Sequence, residues 1–229
     1  MDKLIRSIRF PFVFDIKRLK DDFTKVVNFD WVDHYNTNDY NGKWTSIALL
    51  SQNGNYNAIN ALPNDEPLLP TEVLESCKYF NEILNNFLFK KTAVRLMQLN
   101  AGAVIKPHTD NCLGYEDGFF RIHIPVITNP DVEFILDGER LIMGEGECWY
   151  IDANFTHSVA NNGTENRIHL VIDGIRNEWT DTLFFKEAES DRFLKPEKVI
   201  SNQEKELIIA ELKRMNTTAA NNILKEMEL

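Results

Sequence analysis

The chain has 229 residues, with 35 acidic and 25 basic side chains, a formal net charge of −10 and 43% hydrophobic residues. This composition is typical of a globular protein with a sizeable core, and the negative charge argues against nucleic acid or an anionic membrane as the main partner. No apolar run is long enough to span a membrane. Charged residues near the N-terminus stand where a secretory signal would have its apolar segment, so we expect a cytoplasmic protein.

The first 92 residues predict strands and helices. Asp15 is suited to cap a helix, because its carboxylate can accept from the first free backbone N–H groups. The segment 52–70 is rich in Asn, Gly and Pro, which predicts a loop, and we place it near the mouth of a site. The predicted elements are a strand over 10–14, a helix from Ile16 to about Asn28, a strand over 44–50, and a helix from Thr71 to about Phe89.

From Ala93 to Phe185 the pattern changes to short strands separated by turns. Asp137-Gly138 predicts a hairpin turn and Gly144-Glu145-Gly146 a second one. About eight strands at this spacing predict a double-sheet jelly roll. The candidate strands cover residues 93–99, 104–108, 119–127, 132–136, 139–143, 147–151, 157–160 and 167–174.

We therefore predict a mainly β protein with flanking helices, whose core is a double-stranded β-helix of the jelly-roll, cupin-like type. Residues 1–92 would pack on the barrel, 93–185 would form the jelly-roll catalytic core, and 186–229 would be a helical extension with a helix from Asn202 to Glu228. We expect these three regions to make one structural domain.

His108-Thr109-Asp110 at the end of a predicted strand is the first part of a candidate metal site. Residues two apart on an extended segment share a face, so His108 and Asp110 can reach one ion. The motif alone is a weak signal, but His157 further along supplies a second imidazole. Two imidazoles and one carboxylate on a β scaffold are the ligands of a mononuclear non-haem Fe(II) oxygenase, with positions left open for co-substrate and O₂.

Arg167 lies ten residues after His157 and is a candidate carboxylate-binding residue. Asn161-Asn162-Gly163 between them is a turn signal, and a hairpin about Asn162 would place His157 opposite Arg167 on one face. A guanidinium in that position can bind a dicarboxylate such as 2-oxoglutarate in a bidentate manner.

Two segments repeat an alternation of basic and aliphatic residues. Arg121-Ile122-His123-Ile124 and Arg167-Ile168-His169-Leu170 place Arg and His on one strand face and aliphatic side chains on the other. A half-buried strand with its polar face in water would show the same pattern. We favour a barrel with a polar interior and helices outside, because these residues converge on the two-histidine, one-carboxylate set.

Five motifs between Arg95 and Asp173 carry a family resemblance. They are Pro107-His108-Thr109-Asp110, Arg121-Ile122-His123-Ile124-Pro125, Gly146-Glu147, His157-Ser158-Val159-x-Asn161 and Arg167-Ile168-His169-Leu170. With them the chain resembles the aspartyl/asparaginyl β-hydroxylase family of 2-oxoglutarate-dependent dioxygenases, closest to the bacterial branch with free-proline hydroxylases. The animal peptide hydroxylase has glycine where Asp110 stands, so Asp110 makes the chain more similar to the bacterial amino-acid enzymes.

The resemblance implies a role for each site residue. His108, Asp110 and His157 would bind Fe(II), Arg167 would hold the distal carboxylate of 2-oxoglutarate with His123 as a helper, and Arg121 and Arg95 would hold the substrate's carboxylate. The implied reaction uses O₂ to convert 2-oxoglutarate to succinate and CO₂ and hydroxylates an aliphatic carbon. The substrate would be a free amino acid, an aspartyl/asparaginyl-type residue of a peptide, or a carrier-tethered aminoacyl group.

Other interpretations remain open from the sequence. A non-catalytic, cupin-like module that binds a metal or small molecule could use the same fold. A cupin isomerase would need more histidine ligands close together, and His34 and His169 are poorly placed to supply them. Arg95 and Arg121 could pair with Asp152 or Glu133 of the protein instead of a substrate. The oligomeric state is left open.

Overall fold

The computed structural model describes residues 3–60, 67–195, 202–215, 217, 220 and 223–224. The chain divides into two compact units, Met1–Leu194 and Lys195–Leu229. None of the helices in the described part combines the length and apolar character that crossing a membrane requires. The boundaries of the three predicted regions stay a prediction.

The described residues of the first unit form thirteen strands and four α-helices. The strands are β1 (Ser7–Val13), β2 (Val32–Asp33), β3 (Tyr40–Asn41), β4 (Trp44–Ser51), β5 (Leu69–Pro70), β6 (Lys91–Leu99), β7 (Val104–His108), β8 (Phe119–Ile127), β9 (Val132–Leu136), β10 (Glu139–Leu141), β11 (Glu147–Ile151), β12 (His157–Asn161) and β13 (Arg167–Ile175). The α-helices are α1 (Ile16–Val26), α2 (Glu72–Ser76), α3 (Lys78–Asn86) and α4 (Glu178–Phe184). Short 3₁₀ helices cover Thr37–Asp39, Tyr115–Asp117 and Ser190–Phe193.

The strands make two antiparallel sheets. The larger sheet has the order β1-β11-β8-β13-β6-β4-β2, with β5 paired to β4, and the smaller sheet has the order β10-β9-β12-β7-β3. Most neighbouring strands are not consecutive in the chain, as a jelly roll requires; the pairs β9–β10 and β4–β5 are the exceptions. The prediction of a mainly β jelly roll with flanking helices is confirmed, and strands of the first 92 residues hydrogen-bond directly into its sheets.

Each face of the larger sheet has its own environment. Aliphatic side chains such as Ile122 and Leu170 belong to one apolar cluster with Leu19 and Phe80 of the helices. The opposite face points toward the smaller sheet, where a second cluster combines residues of both sheets: Met97, Leu99, Ile105, Phe134 and Val159. The basic residues of the alternating motifs lie on this inner face: His123, Arg167 and His169 are buried and Arg121 is partly buried, so the polar-interior interpretation is confirmed.

Two predicted turns differ in the structure. β12 pairs with β7 and β9, while β13 pairs with β6 and β8, so the hairpin that placed His157 opposite Arg167 is wrong. The Asn residues of the predicted turn instead belong to the connection from the smaller sheet to the larger one. In this connection the buried amide of Asn161 donates to the carbonyls of Leu99 and Glu165. The segment Gly144–Gly146 also crosses between sheets, whereas the Asp137-Gly138 hairpin is confirmed by the pairing of β9 with β10.

The helices agree with the predictions in part. The carboxylate of Asp15 accepts from the backbone N of Arg18 at 3.0 Å and begins α1 as predicted. The helix predicted from Thr71 to Phe89 is broken at Cys77 into α2 and α3, and α4 had no predicted counterpart. In the second unit, α5 covers Asn202–Met215; most of the predicted continuation to Glu228 lies outside the described residues.

Candidate active site

His108, Asp110 and His157 meet where β7 and β12 lie side by side. His157 is opposite His108 in the register of these two strands, and their ring centroids are 4.3 Å apart. Asp110 follows on the next loop, whose position is set by a 2.9 Å hydrogen bond from its backbone N to the carbonyl of Ala153. One ligand atom from each of the three side chains lies within 4.8 Å of the others. This spacing suits a single metal ion.

Both histidines present the correct ring nitrogen to an ion. Nδ1 of His108 lies 2.8 Å from the carbonyl oxygen of Lys106, and Nδ1 of His157 lies 3.0 Å from that of Phe155. A carbonyl only accepts, so each Nδ1 carries the proton and each Nε2 keeps its lone pair for a metal. Burial lowers the pKa of His157 to about 4, which keeps this imidazole neutral at neutral pH, as metal ligation requires.

The carboxylate of Asp110 is held in its ionised form. Nη1 of Arg121 donates to its Oδ2 at 2.6 Å, while its Oδ1 lies 3.9 Å from Nε2 of His108. Burial opposes ionisation, but the charge of Arg121 and the two imidazoles outweigh it and hold the pKa of Asp110 below its ordinary value. Two imidazoles and one carboxylate match the donor set that Fe(II) takes in non-haem oxygenases.

Arg121 and Arg95 share a carboxylate of the protein, Asp173. Nε of Arg121 lies 2.7 Å from Oδ1 of Asp173, and Nη2 of Arg95 lies 2.6 Å from Oδ2. The expectation that Asp152 or Glu133 would be the internal partner is wrong. The reason is strand register: Asp173 on β13 is directly opposite Arg121 on β8. The role of both arginines toward a substrate stays a prediction.

Arg167 differs from these two arginines, because no carboxylate contacts it in the part of the chain that the structure describes. Its side chain is buried, its Nη2 donates to Nδ1 of His169 at 2.9 Å, and its Nε has no partner among the described residues. Burial lowers the pKa of Arg167 to about 9, so the group is still charged at neutral pH. A buried charge without a counter-charge is unfavourable, so the site has a preference for an anion.

His123 is a second buried polar group without a partner. Both of its ring nitrogens lack a hydrogen bond within the described residues. Burial, with the charges of Arg167 and Arg121, lowers its pKa well below the ordinary value, so the imidazole is neutral. A neutral imidazole can both donate and accept, which suits a polar ligand lying in the space between His123 and Arg167.

One cavity of about 150 Å³ contains every site residue that the sequence predicted. It is lined by Arg95, His108, Asp110, Arg121, His123, His157 and Arg167, together with Phe134 and Trp44. The cavity lies between the two sheets, since the residues belong to β4, β6, β7, β8, β9, β12 and β13 or follow them directly. A wider groove of about 790 Å³ adjoins it and shares Arg95, Asp110 and Arg121.

Sequence reasoning missed Asp173 and gave His34 no place in the site. Asp173 could have been found, because Arg167, His169 and Asp173 alternate along β13 and so point to the same face. His34 follows the two-residue strand β2 and carries no motif, yet it lines the cavity with Trp44. Nothing local in the sequence indicates that position.

Comparison with known proteins identifies relatives by sequence similarity. A sequence model of the family described as aspartyl/asparaginyl beta-hydroxylase matches residues 14–177. L-proline cis-4-hydroxylase of Rhizobium meliloti (strain 1021) is 30% identical over 164 residues, 70% of this chain and 57% of that protein. L-proline cis-3-hydroxylase 1 of a Streptomyces species is 30% identical over 166 residues, 69% of this chain and 56% of that protein. The chain thus spans little more than half the length of these two relatives.

A solved structure supports the fold. An oxidoreductase of the 2OG-Fe(II) oxygenase family from Burkholderia pseudomallei aligns with a TM-score of 0.51 at 11% identity, covering 75% of this chain and 86% of that one. At this identity the likeness concerns the fold alone, and it agrees with the two-sheet jelly roll described above.

Proposed function

The chain belongs to the aspartyl/asparaginyl β-hydroxylase family, and on this premise we propose that it is an Fe(II)- and 2-oxoglutarate-dependent dioxygenase that hydroxylates an aliphatic carbon of an amino acid. The observation that carries the proposal is Arg167: a buried guanidinium without a carboxylate partner in the described part, in the same cavity as His108, Asp110 and His157. Such a cavity calls for a metal and an anion together.

His108, Asp110 and His157 would hold the iron. When bound, Fe(II) would supply the activation of O₂ that couples oxidation of 2-oxoglutarate to hydroxylation. The protein's own part is to keep both Nε2 atoms unprotonated through the carbonyls of Lys106 and Phe155. Arg121 contributes by orienting the Asp110 carboxylate, because it occupies Oδ2 and leaves Oδ1 toward the imidazoles.

Arg167 would bind the distal carboxylate of 2-oxoglutarate. Its hydrogen bond to His169 occupies one N–H of the guanidinium, which has five, so a bidentate contact remains available. The ring centroid of Phe134 lies 5.9 Å from the guanidinium carbon, so an aromatic ring forms part of the wall beside Arg167. The neutral His123 would offer a further hydrogen bond to the same co-substrate.

Arg121 and Arg95 would bind the substrate's carboxylate without releasing Asp173. Together they have ten N–H donors, and contacts with Asp173, Asp110 and the carbonyl of Ile59 leave several of these unused. The two curated relatives act by name on L-proline, and we propose a free amino acid as the substrate. A peptide or carrier-tethered aminoacyl substrate and a cytoplasmic location remain predictions.

The test is succinate release from 2-oxoglutarate with Fe(II), ascorbate and a panel of free L-amino acids that includes L-proline. We expect succinate formation that depends on one or a few amino acids, and its loss in Asp110→Ala while circular dichroism shows an unchanged fold. A protein that binds metal yet oxidises no 2-oxoglutarate with any amino acid would overturn the proposal and support a non-catalytic, cupin-like binding protein.

A further inference from the structure

His34 is held between two aromatic rings at the wall of the site cavity. Its imidazole stacks on Trp44, with centroids 3.6 Å apart and planes 11° apart, and on Tyr35, with centroids 4.4 Å apart. Its backbone N donates to the carbonyl of Trp44 at 2.9 Å, and the residue is only 9% exposed. The ring is thus fixed in place before any ligand arrives.

The hydrogen bonds of His34 define which of its nitrogens is free. The backbone N of Asn36 donates to Nδ1 of His34 at 3.4 Å, so Nδ1 is the acceptor and Nε2 carries the hydrogen. This Nε2–H has no partner among the residues that the structure describes. Burial, with a smaller effect of Arg95, lowers the pKa of His34 to about 4, so the ring stays neutral at neutral pH.

The free donor lies near the two arginines that are candidates for substrate binding. His34 lines the same cavity as Arg95 and Arg121, and the charges of both arginines and of Asp110 act on its ring. A neutral donor suits this position, because Asp110 and Asp173 already balance the two guanidinium charges. A third cation would need another anion, whereas an N–H adds a hydrogen bond without adding charge.

We propose that His34 is a substrate-binding residue whose Nε2–H donates to the carboxylate of the amino acid that Arg95 and Arg121 also bind. The inference rests on the proposed function and goes beyond it by assigning a residue that none of the family motifs contains. The stacking on Trp44 and Tyr35 fixes the direction of the N–H, so little side-chain entropy is lost when the carboxylate binds. His34 would thereby set where the amino acid lies relative to His108 and Asp110.

The test compares His34→Phe with the parent protein. Phenylalanine keeps a flat ring that can stack on Trp44 but has no N–H. Loss of one hydrogen bond to a charged group should raise the KM for the best amino acid of the panel roughly 10- to 100-fold. The KM for 2-oxoglutarate should change less than about twofold, because Arg167 is unaltered. Asp33→Asn, an exposed neighbour outside the cavity, is the matched control and should behave like the parent.

Binding measurements separate carboxylate recognition from other effects. Calorimetry on the Mn(II)-loaded protein should show that the parent prefers L-proline to L-prolinamide and that His34→Phe loses much of this preference. His34→Gln restores an N–H donor and should recover part of it, which guards against a folding defect in the Phe variant. Equal affinity and KM in parent and His34→Phe would overturn the inference alone. A parent that neither binds nor turns over any amino acid would overturn the proposed function and the inference together.

Discussion

Arg167 and Arg121 are two guanidinium groups in one cavity, the first buried and the second partly buried, and they differ in their partners. Arg121 has two carboxylates of the protein, Asp110 and Asp173, whereas Arg167 has a hydrogen bond only to the neutral His169 within the described residues. The first therefore has a role in organising the site even without a ligand. The second has unused donors and an unbalanced charge, which is the property expected of a ligand-binding residue.

Replacing Arg167 by Lys should weaken 2-oxoglutarate binding strongly. Lysine keeps the charge but loses the planar two-point contact, and one charge-assisted hydrogen bond contributes about 1.5–3 kcal/mol, roughly a 10- to 150-fold change in KM. Steady-state kinetics with varied 2-oxoglutarate measure the effect, and Arg18→Lys on the exposed side of α1 is the control. An unchanged KM would show that Arg167 has no contact with the co-substrate.

Replacing Asp173 by Asn should destabilise the fold. The pKa of Asp173 is lowered by Arg121 and Arg95 in spite of its burial, so the wild-type residue is a carboxylate that balances the buried Arg95 and the partly buried Arg121. Removing one partner of a buried ion pair costs about 3–5 kcal/mol. Urea unfolding measures the loss, with Asp33→Asn at an exposed position as the control. A free energy of unfolding equal to that of the parent would mean that the two arginines are balanced by another group.

At the scale of elements, α3 shows how a helix can begin without a cap of its own. Its preceding residue, Cys77, makes no side-chain cap, and the buried carboxylate of Asp22 in α1 takes over this role. Oδ2 of Asp22 accepts from the backbone N of Tyr79 at 2.6 Å and from that of Phe80 at 3.0 Å. A carboxylate at this end also interacts favourably with the helix dipole. The break between α2 and α3 thus depends on a residue more than fifty positions earlier.

We expect Asp22→Ala to lower the free energy of unfolding by about 1.5–3 kcal/mol, because two N–H groups lose a charged acceptor in a buried position. Its neighbour Asp21 is exposed and pairs with Lys17 at the surface, so Asp21→Ala should leave the unfolding transition nearly unchanged. Chemical denaturation of both variants makes the comparison. Similar transitions for the two variants would show that α3 does not depend on Asp22.

At the scale of the whole molecule, four buried histidines make the fold sensitive to acid. Burial lowers the pKa of His34 and His157 to about 4, and it lowers those of His123 and His169 well below their ordinary value. The unfolded chain binds protons on these rings near pH 6.5, where the folded protein does not. Stability should therefore fall as the pH drops from about 6.5 toward 4.

One carboxyl works in the opposite direction. Burial beside Glu116 raises the pKa of Asp152 to about 8, so the folded state holds a proton that the unfolded state releases. The four imidazoles outnumber this one carboxyl group. Each net proton that the unfolded chain binds changes the free energy of unfolding by about 1.4 kcal/mol per pH unit. Urea unfolding of the metal-free protein should give a clearly lower free energy of unfolding near pH 5 than near pH 7. The difference between the two pH values should be smaller in His34→Phe. A stability that is flat or rises toward pH 5 contradicts this prediction.

The sequence by itself determined the features that depend on residues a few positions apart. The alternation in β8 and β13 indicated a polar inner face, Asp15 indicated the start of α1, and Asp137-Gly138 indicated a tight turn. It also identified seven residues that line the cavity: Arg95, His108, Asp110, Arg121, His123, His157 and Arg167. Such features follow from side-chain period, capping and turn chemistry, which are local properties of a chain.

The tertiary structure alone decided which strands are neighbours. Sequence reasoning paired β12 with β13, but the fold places them in different sheets, so His157 lies beside His108 and has only the lining of the cavity in common with Arg167. The pairing of Arg121 with Asp173 and the position of His34 have the same origin. The alternation of polar and apolar residues shows which side chains point inward. It does not show which strand is the neighbour, because every inward-facing strand has the same kind of alternation. The choice between them depends on how two sheets together bury their apolar surface, which no short segment contains.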